Sequence, residues 1–361
     1  MSHKKVYAYD HKPIPFEFSQ SVERFFVEEI PLYRFSGNGN YIVFKIKKRD
    51  MSTWKLVHVL AKSTGLKERD IGYAGLKDKS ATAIQYISIP KKYEKEVDHN
   101  LTTERVEILE RFYNNAPIKI GHLKANRFSI VLRDLKKGDA SRFDKAAQTI
   151  GRGGMPNYFG YQRFGEDGKS FLQGKKIAAS GKRLKGAKEK LLVSAWQSHL
   201  FNEWLGERIN ISKTVSSRSV KDAASILGYP TELVEVLKKE PSFFKIFLGD
   251  VMMPYPFGKP YYANDMVKEA EHLAKRSASP TGILCGDRAM RARSDARHLE
   301  EAFDDSELSS LRGDRRFAWV WPEDVSTDYD AATQTMVLNF TLPKGSYATT
   351  FLEEIGKRTL R

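Results

Sequence analysis

The chain predicts an α+β fold built in two parts, on three observations. β-Branched and aromatic runs of strand character fill the stretch up to Arg133. A glycine-rich break at Gly151–Gly154 then opens a long helix-rich middle, and strand character returns from Phe317. Strands on both sides of a helical middle read as an insertion, with the last strands pairing back into the first part. A length of 361 residues accommodates this, since domains run to roughly 100–200 residues each.

The elements follow in order. Phe16–Phe18 and Arg24–Val27 read as short extended pieces, and Tyr41–Lys47 as a firm strand. Ser52 caps a helix that places Trp54, Val57, Leu60 and Ala61 on one face and stops at Gly65. Thr82–Ile89 is a strand ended by Pro90; Arg105–Glu110 and Phe128–Arg133 are two more, and Ser141–Ile150 is a helix. Beyond the glycine break, Glu189–Arg208 carries Leu192, Trp196, Leu200 and Trp204 at four-residue spacing, the stripe of a core helix. Val215–Lys245 gives short helices broken at Pro230 and Pro241, and His298–Leu311 gives another. Phe317–Trp321 and Thr335–Leu342 are strands, the latter turning Met336, Leu338, Phe340 and Leu342 inward. A turn at Pro343-Lys344-Gly345 leads to a short helix from Thr349.

Composition narrows the function. Lys and Arg number 60 against 45 Asp and Glu, a net charge of +15, and 21 Phe and 16 Tyr accompany them. Positive charge with stackable rings suits a polyanion that also offers bases. No apolar run nears the roughly 20 residues that span a bilayer, so no membrane association is expected. The single cysteine, Cys285, excludes an intrachain disulfide or a multi-cysteine zinc site and reads as a packing residue. Met1-Ser2-His3-Lys4-Lys5 has charge but no apolar stretch behind it, which points to the cytoplasm. The eight histidines show no metal-ligand spacing, and neither Walker nor dinucleotide glycine motifs occur, so neither a metal nor a cofactor is expected.

One stretch organises the rest: Gly72-Tyr73-Ala74-Gly75-Leu76-Lys77-Asp78-Lys79, leading into the strand at Thr82. Glycines permit tight turns and close approach of ligands. Two adjacent cations favour an ionised Asp78 and draw phosphate. Residue chemistry leaves a charged surface turn and a reactive site equally open here. Three other stretches have unusual choices. Asn126-Arg127-Phe128 sets a base-edge reader, a phosphate binder and a stacking ring together, although Phe128 alone suits a core. Asn157-Tyr158-Phe159-Gly160-Tyr161-Gln162-Arg163-Phe164-Gly165 interleaves aromatics with Asn157, Gln162 and Arg163. Tyr347 follows a tight turn, where a ring can stack on a base or fold inward.

With Phe25-Phe26-Val27-Glu28-Glu29, Ser194-Ala195, Gln197-Ser198, Leu200-Phe201-Asn202, Pro280-Thr281-Gly282 and Gly345-Ser346-Tyr347-Ala348-Thr349, these stretches form an ordered set. The set resembles the TruD family of tRNA pseudouridine synthases over nearly the whole length. The resemblance implies a pseudouridine synthase catalytic domain with a mixed, largely antiparallel sheet, over residues 1–150 and 318–361. It implies an inserted TRUD domain over residues 151–317. It also implies conversion of uridine 13 of transfer RNA to pseudouridine without metal or cofactor, and with no obligate protein partner. Asp78 matches the family's nucleophile, and Phe25, Asn126 and Tyr347 match positions that hold the target uridine. The family often has a lysine six residues before Phe25, where this chain has Ser19, and Arg24 replaces an acid. Lys77, Lys79 and Arg127 are then the candidate cations for Asp78. The competing expectations are a non-catalytic RNA-binding protein or RNA chaperone on the same fold, and an RNA-processing hydrolase.

Overall fold

A computed structural model describes residues 5–100, 105–165, 167–181, 184 and 186–360; the charged start, residues 1–4, lies outside the described residues. The first run comprises β1 (Phe25–Pro31), β2 (Tyr41–Arg49), α1 (Thr53–Thr64), β3 (Gly72–Tyr73), β4 (Thr82–Pro90), α2 (Glu94–Asn100), β5 (Val106–Asn114), β6 (Leu123–Leu132) and α3 (Lys137–Gly153). The middle comprises β7 (Met155–Pro156), α4 (Ser170–Ala179), α5 (Gly186–Ser217), α6 (Val220–Leu227), α7 (Thr231–Lys239), β8 (Val251–Pro254), β9 (Tyr261–Tyr262), α8 (Met266–Ala274), β10 (Ala278–Leu284), α9 (Ser294–Glu300), β11 (Asp314–Phe317) and β12 (Trp319–Val320). The chain ends with β13 (Glu323–Asp330), β14 (Thr335–Pro343) and α10 (Ala348–Gly356). Among the described residues no helix is long and apolar enough to cross a membrane.

Contacts gather the chain into two compact units. One is Ile14–Gln148 with Pro322–Gly345; the other is Met1–Pro13, Thr149–Trp321 and Ser346–Arg361. These bounds depart from the sequence division at both chain ends. Long-range bonds explain the difference: Tyr158 donates to the Val6 carbonyl at 3.0 Å, and a ring nitrogen of His11 lies 2.8 Å from the Ile355 carbonyl.

The first unit is an eight-stranded mixed sheet in the order β13-β14-β6-β1-β4-β2-β5, with β3 beside β4. Only β1 and β4 run parallel; the other pairs are antiparallel. The returning strand β14 lies along β6 from Met336 opposite Leu132 to Pro343 opposite Ala125. Met336, Leu338, Phe340 and Leu342 are buried, as their alternation requires. Helix α1 covers one face, setting Leu56, Val57 and Leu60 on Ile42, Phe44, Ile46, Ile87 and Ile89. Ser52 caps it through the Lys55 amide and Gly65 ends it in the left-handed region. Its buried face is rotated from the expected one: Trp54 is 58% exposed and lies T-shaped to Tyr73, ring centroids 6.0 Å apart. Strand β13 escapes sequence patterning because an edge strand with half its side chains in water needs few apolar residues.

In the second unit β11-β10-β8-β9 form one sheet and β12-β7 a two-stranded ladder. The expected strand Phe317–Trp321 is therefore split, and both pieces pair here rather than with β14. Helix α5 packs Phe201, Trp204, Leu205 and Ile209 into a core with Phe244, Met252 and Trp319. Along the expected stripe Trp196 and Trp204 are buried, and Leu192 and Leu200 are half-buried. The expected helix His298–Leu311 is instead the end of α9 followed by short 3-10 turns. The Glu300 carboxylate turns inward to the Ala292 amide at 2.8 Å and to Arg315, which closes the helix early. Cys285 is buried, and burial pushes its thiol up to about 12, as suits an inert packing group.

Candidate active site

The Asp78 loop is built outward from the sheet of the first unit. Gly72, on β3, has no room for a side chain: a Cβ there would stand 2.3 Å from the Ile118 carbonyl and 2.4 Å from Ser88 Oγ. Close approach, not a left-handed turn, is what this glycine serves. Past it the loop turns Lys77 inward and Asp78 outward. Lys77 Nζ meets Glu29 Oε1 at 2.6 Å, both side chains buried, and Glu29 Oε2 accepts from the Tyr86 amide at 3.1 Å. The Lys77 amide donates to Thr53 Oγ1 at 2.9 Å, and that hydroxyl donates to Gln85 Oε1 at 2.9 Å. From β2, Lys48 Nζ donates to the carbonyls of Asp78 at 3.1 Å, Lys77 at 3.5 Å, and Met51. Burial lowers Lys48 to about 8, opposed by the carboxylate of Asp78, assisted by Lys77 and opposed again by Glu29.

The Asp78 carboxylate is exposed and accepts from Gln20 Nε2 at 3.2 Å. Its loop is tethered through backbone and through Lys77, which leaves the next side chain pointing out. The three cations expected beside it have other partners. Lys77 pairs with Glu29, Lys79 with Asp50 at 3.8 Å, and Arg127 with Glu28 at 3.5 Å. The cation that reaches the Asp78 residue is Lys48, through its backbone carbonyl. A sequence signal existed for it: Lys48 continues the inward phase Ile42, Phe44, Ile46, where a charge is out of place.

Asn126 on β6 lies directly across from Glu29 on β1 and Leu342 on β14, so it shares a sheet face with the Lys77–Glu29 pair. Its Oδ1 is buried without a hydrogen-bond partner, an acceptor kept out of water with nothing to accept from. Phe25 is buried edge-on against Phe18 at 6.3 Å and Phe128 at 6.0 Å, while Phe128 stacks on Phe340 at 5.2 Å. Both rings are core residues of this unit.

The remaining motif residues gather in the second unit. Asn157 donates to the Phe317 carbonyl at 3.0 Å and accepts from Arg316 at 3.0 Å. The Phe159 amide and carbonyl are both held by Asn202, at 2.8 and 3.1 Å. Arg163 spans Ser198 at 3.0 Å and Ser194 at 2.7 Å. Gln162, beside it, is exposed. The Arg316 guanidinium lies 3.9 Å from the Phe159 ring and 5.9 Å from that of Tyr347, with Tyr347 edge-on to Phe159 at 6.1 Å. Burial brings Arg316 down to about 10, opposed by Tyr347 and assisted by Arg163. Tyr347 is half-buried at the start of α10, packed so that a Cβ on Gly160 would stand 2.9 Å from its ring. Arg316 carries no sequence signal, since Arg315-Arg316 reads as an ordinary charged pair. Asp78, Phe25, Asn126, Lys77, Lys79, Arg127 and Phe128 thus belong to one unit, and Tyr347, Asn157, Gln162 and Arg163 to the other.

Comparison with known proteins bears on both units. A family model described as tRNA pseudouridine synthase D (TruD) matches residues 2–183 and 169–355. The tRNA pseudouridine synthase D of Nitratiruptor sp. is 42% identical over 362 residues, 99% of each chain. That of Wolinella succinogenes is 42% identical over 363 residues, again 99% of each chain. The crystal structure of a putative tRNA pseudouridine synthase D (TruD) from Methanosarcina mazei aligns with a TM-score of 0.68 at 21% identity. It covers 98% of this chain and 96% of its own, and shows the shared fold. The chain belongs to the TruD family of tRNA pseudouridine synthases.

Proposed function

We propose that this protein converts uridine 13 of transfer RNA to pseudouridine, with Asp78 as the nucleophile. The observation that carries this reading is the Asp78 loop itself: an accessible carboxylate on a backbone tied down by a buried ammonium and a buried ion pair. Isomerisation breaks the C1′–N1 bond, forms C5–C1′, moves one proton from C5 to N1, and needs no net oxidation or reduction. Attack at sugar C1′, attack at base C6 and a glycal-like route all require that carboxylate to be ionised and accessible.

The target base must leave its stack, at about a few kcal/mol. Phe25 and Tyr347 are proposed to hold the extruded base, since stacking on a ring contributes roughly 1–3 kcal/mol. Asn126 Oδ1 is a buried acceptor suited to the uracil N3–H. Lys79, Arg127, Gln162 and Arg163 are proposed to support the RNA, and Lys77, Phe128 and Asn157 to support the site from within. Residues 1–150 and 318–361 are read as the catalytic domain and 151–317 as an inserted TRUD domain. The work is proposed to take place in the cytoplasm, without metal, cofactor, membrane or obligate protein partner.

Asp78→Asn preserves side-chain size and removes the charge. It is expected to keep the fold and tRNA binding and to form no product when tRNA is probed with a carbodiimide that marks pseudouridine. Normal turnover by the variant would sink the assignment. With the wild-type protein, shortened RNA would indicate hydrolysis instead, and binding without an adduct would indicate an RNA-binding protein or chaperone.

A further inference from the structure

Lys48 has no exposed surface, yet it carries an ammonium group. Its three donors have three acceptors: the carbonyls of Met51, Lys77 and Asp78. Met51 lies between β2 and α1, and Lys77 and Asp78 lie in the loop between β3 and β4, so none of these carbonyls belongs to a helix or a strand ladder. The ammonium therefore ties the end of β2 to the backbone on which the reactive carboxylate stands. No neutral side chain of that length supplies three donors from one atom.

We propose that Lys48 is the positioning residue for Asp78: its ammonium clamps the loop carbonyls and fixes where the carboxylate stands. The inference rests on Asp78 being the reacting group. Electrostatics fits the same arrangement. The charged groups facing Lys48 are Asp78 and Lys77 from the loop and Glu29 from β1. Lys77 is neutralised by Glu29 at 2.6 Å, which leaves Asp78 as the unbalanced charge opposite Lys48. Loss of the proton from Lys48, held near 8 by burial, loosens the clamp.

The test compares wild type with Lys48→Met in single-turnover pseudouridine formation, tRNA affinity and hydrogen exchange of the Lys77 and Ala81 amides. The expected result is a folded variant that binds tRNA normally, exchanges those amides faster, and reacts about 100-fold more slowly, the usual effect of misplacing a reacting group by about 1 Å. A rate within a few-fold of wild type with unchanged exchange would overturn the proposal. If wild type itself makes no pseudouridine, the parent reading fails, while the exchange data still decide whether Lys48 holds the loop. If Lys48→Met does not fold, the wild-type pH profile decides. A falling limb near pH 8 supports the clamp, and a level rate to about pH 9.5 refutes it.

Discussion

A buried lysine and a partly buried arginine carry opposite lessons about charge in this chain. Burial lowers Lys48 from 10.5 to about 8, so below about 8 it is protonated in both folded and unfolded chains and its burial cost is fully present. That cost is on the order of 3 kcal/mol. As pH rises from 8 towards 10.5 the folded chain releases the proton first, so wild-type stability gains on that of Lys48→Met. Urea unfolding of the pair at about pH 7.5 and about pH 10 is expected to show this shift in favour of wild type. The gain in stability runs opposite to the loss of activity argued above. Arg316 is held differently, by bonds to Asn157 at 3.0 to 3.1 Å and by the Phe159 face. Lysine cannot reproduce that planar fork. Arg316→Lys is expected to lose about 2–3 kcal/mol in unfolding experiments, and a loss under about 0.5 kcal/mol would contradict the packing role.

Among elements, the family motifs turn out to be joints as much as reactive groups. Gly282 sits in β10 where a Cβ would stand 2.3 Å from the Trp204 ring and 2.8 Å from Phe201 of α5. Gly282→Ala is expected to lower stability by about 1–3 kcal/mol, measured as a reduced thermal midpoint with secondary structure retained. Just past α7, burial raises Glu240 to about 8, opposed by its bond from the Ile246 amide and by Lys245. A carboxyl raised in the folded chain binds a proton that the unfolded chain gives up, so its effect on stability worsens as pH rises from 4.5 to 8. Glu240→Gln is accordingly expected to raise the thermal midpoint relative to wild type at pH 8 and to change it little at pH 4.5. Helix α1 shows where element-scale reading fails. Its ends were readable from Ser52 and Gly65, but the face expected to hold both Trp54 and Val57 is buried at Val57 and exposed at Trp54, because size and apolarity say nothing about phase when neighbouring residues compete for the same face.

For the whole molecule, the net charge of +15 predicts strongly salt-dependent association with tRNA. A plot of log affinity against log salt is expected to slope at about −4 or steeper, as roughly six phosphate contacts require, and a flat plot would exclude the backbone as the main contact. The return of β14 to the first sheet was readable because a helical run separates two stretches of strand character, but its place along β6 was not. The split of Phe317–Trp321 was not, since nothing in five apolar residues says which of two sheets will take them. Asp78, Phe25, Asn126 and Tyr347 were readable as motif positions, yet the partners that hold them were not.

Local pattern was enough for what depends on near neighbours: strand and helix character, caps, the glycine break, the basic surface, and the ordered motifs that mark the family. Long-range pairing decided the rest. The Lys48 clamp joins residues 30 apart, and Arg316 reaches Asn157 across 159. The Lys77–Glu29 pair spans 48 positions, and it is why the lysine beside Asp78 is not its partner. Hydrogen bonds and ion pairs form between groups that folding brings within about 3 Å, and spacing along the chain carries no record of that distance.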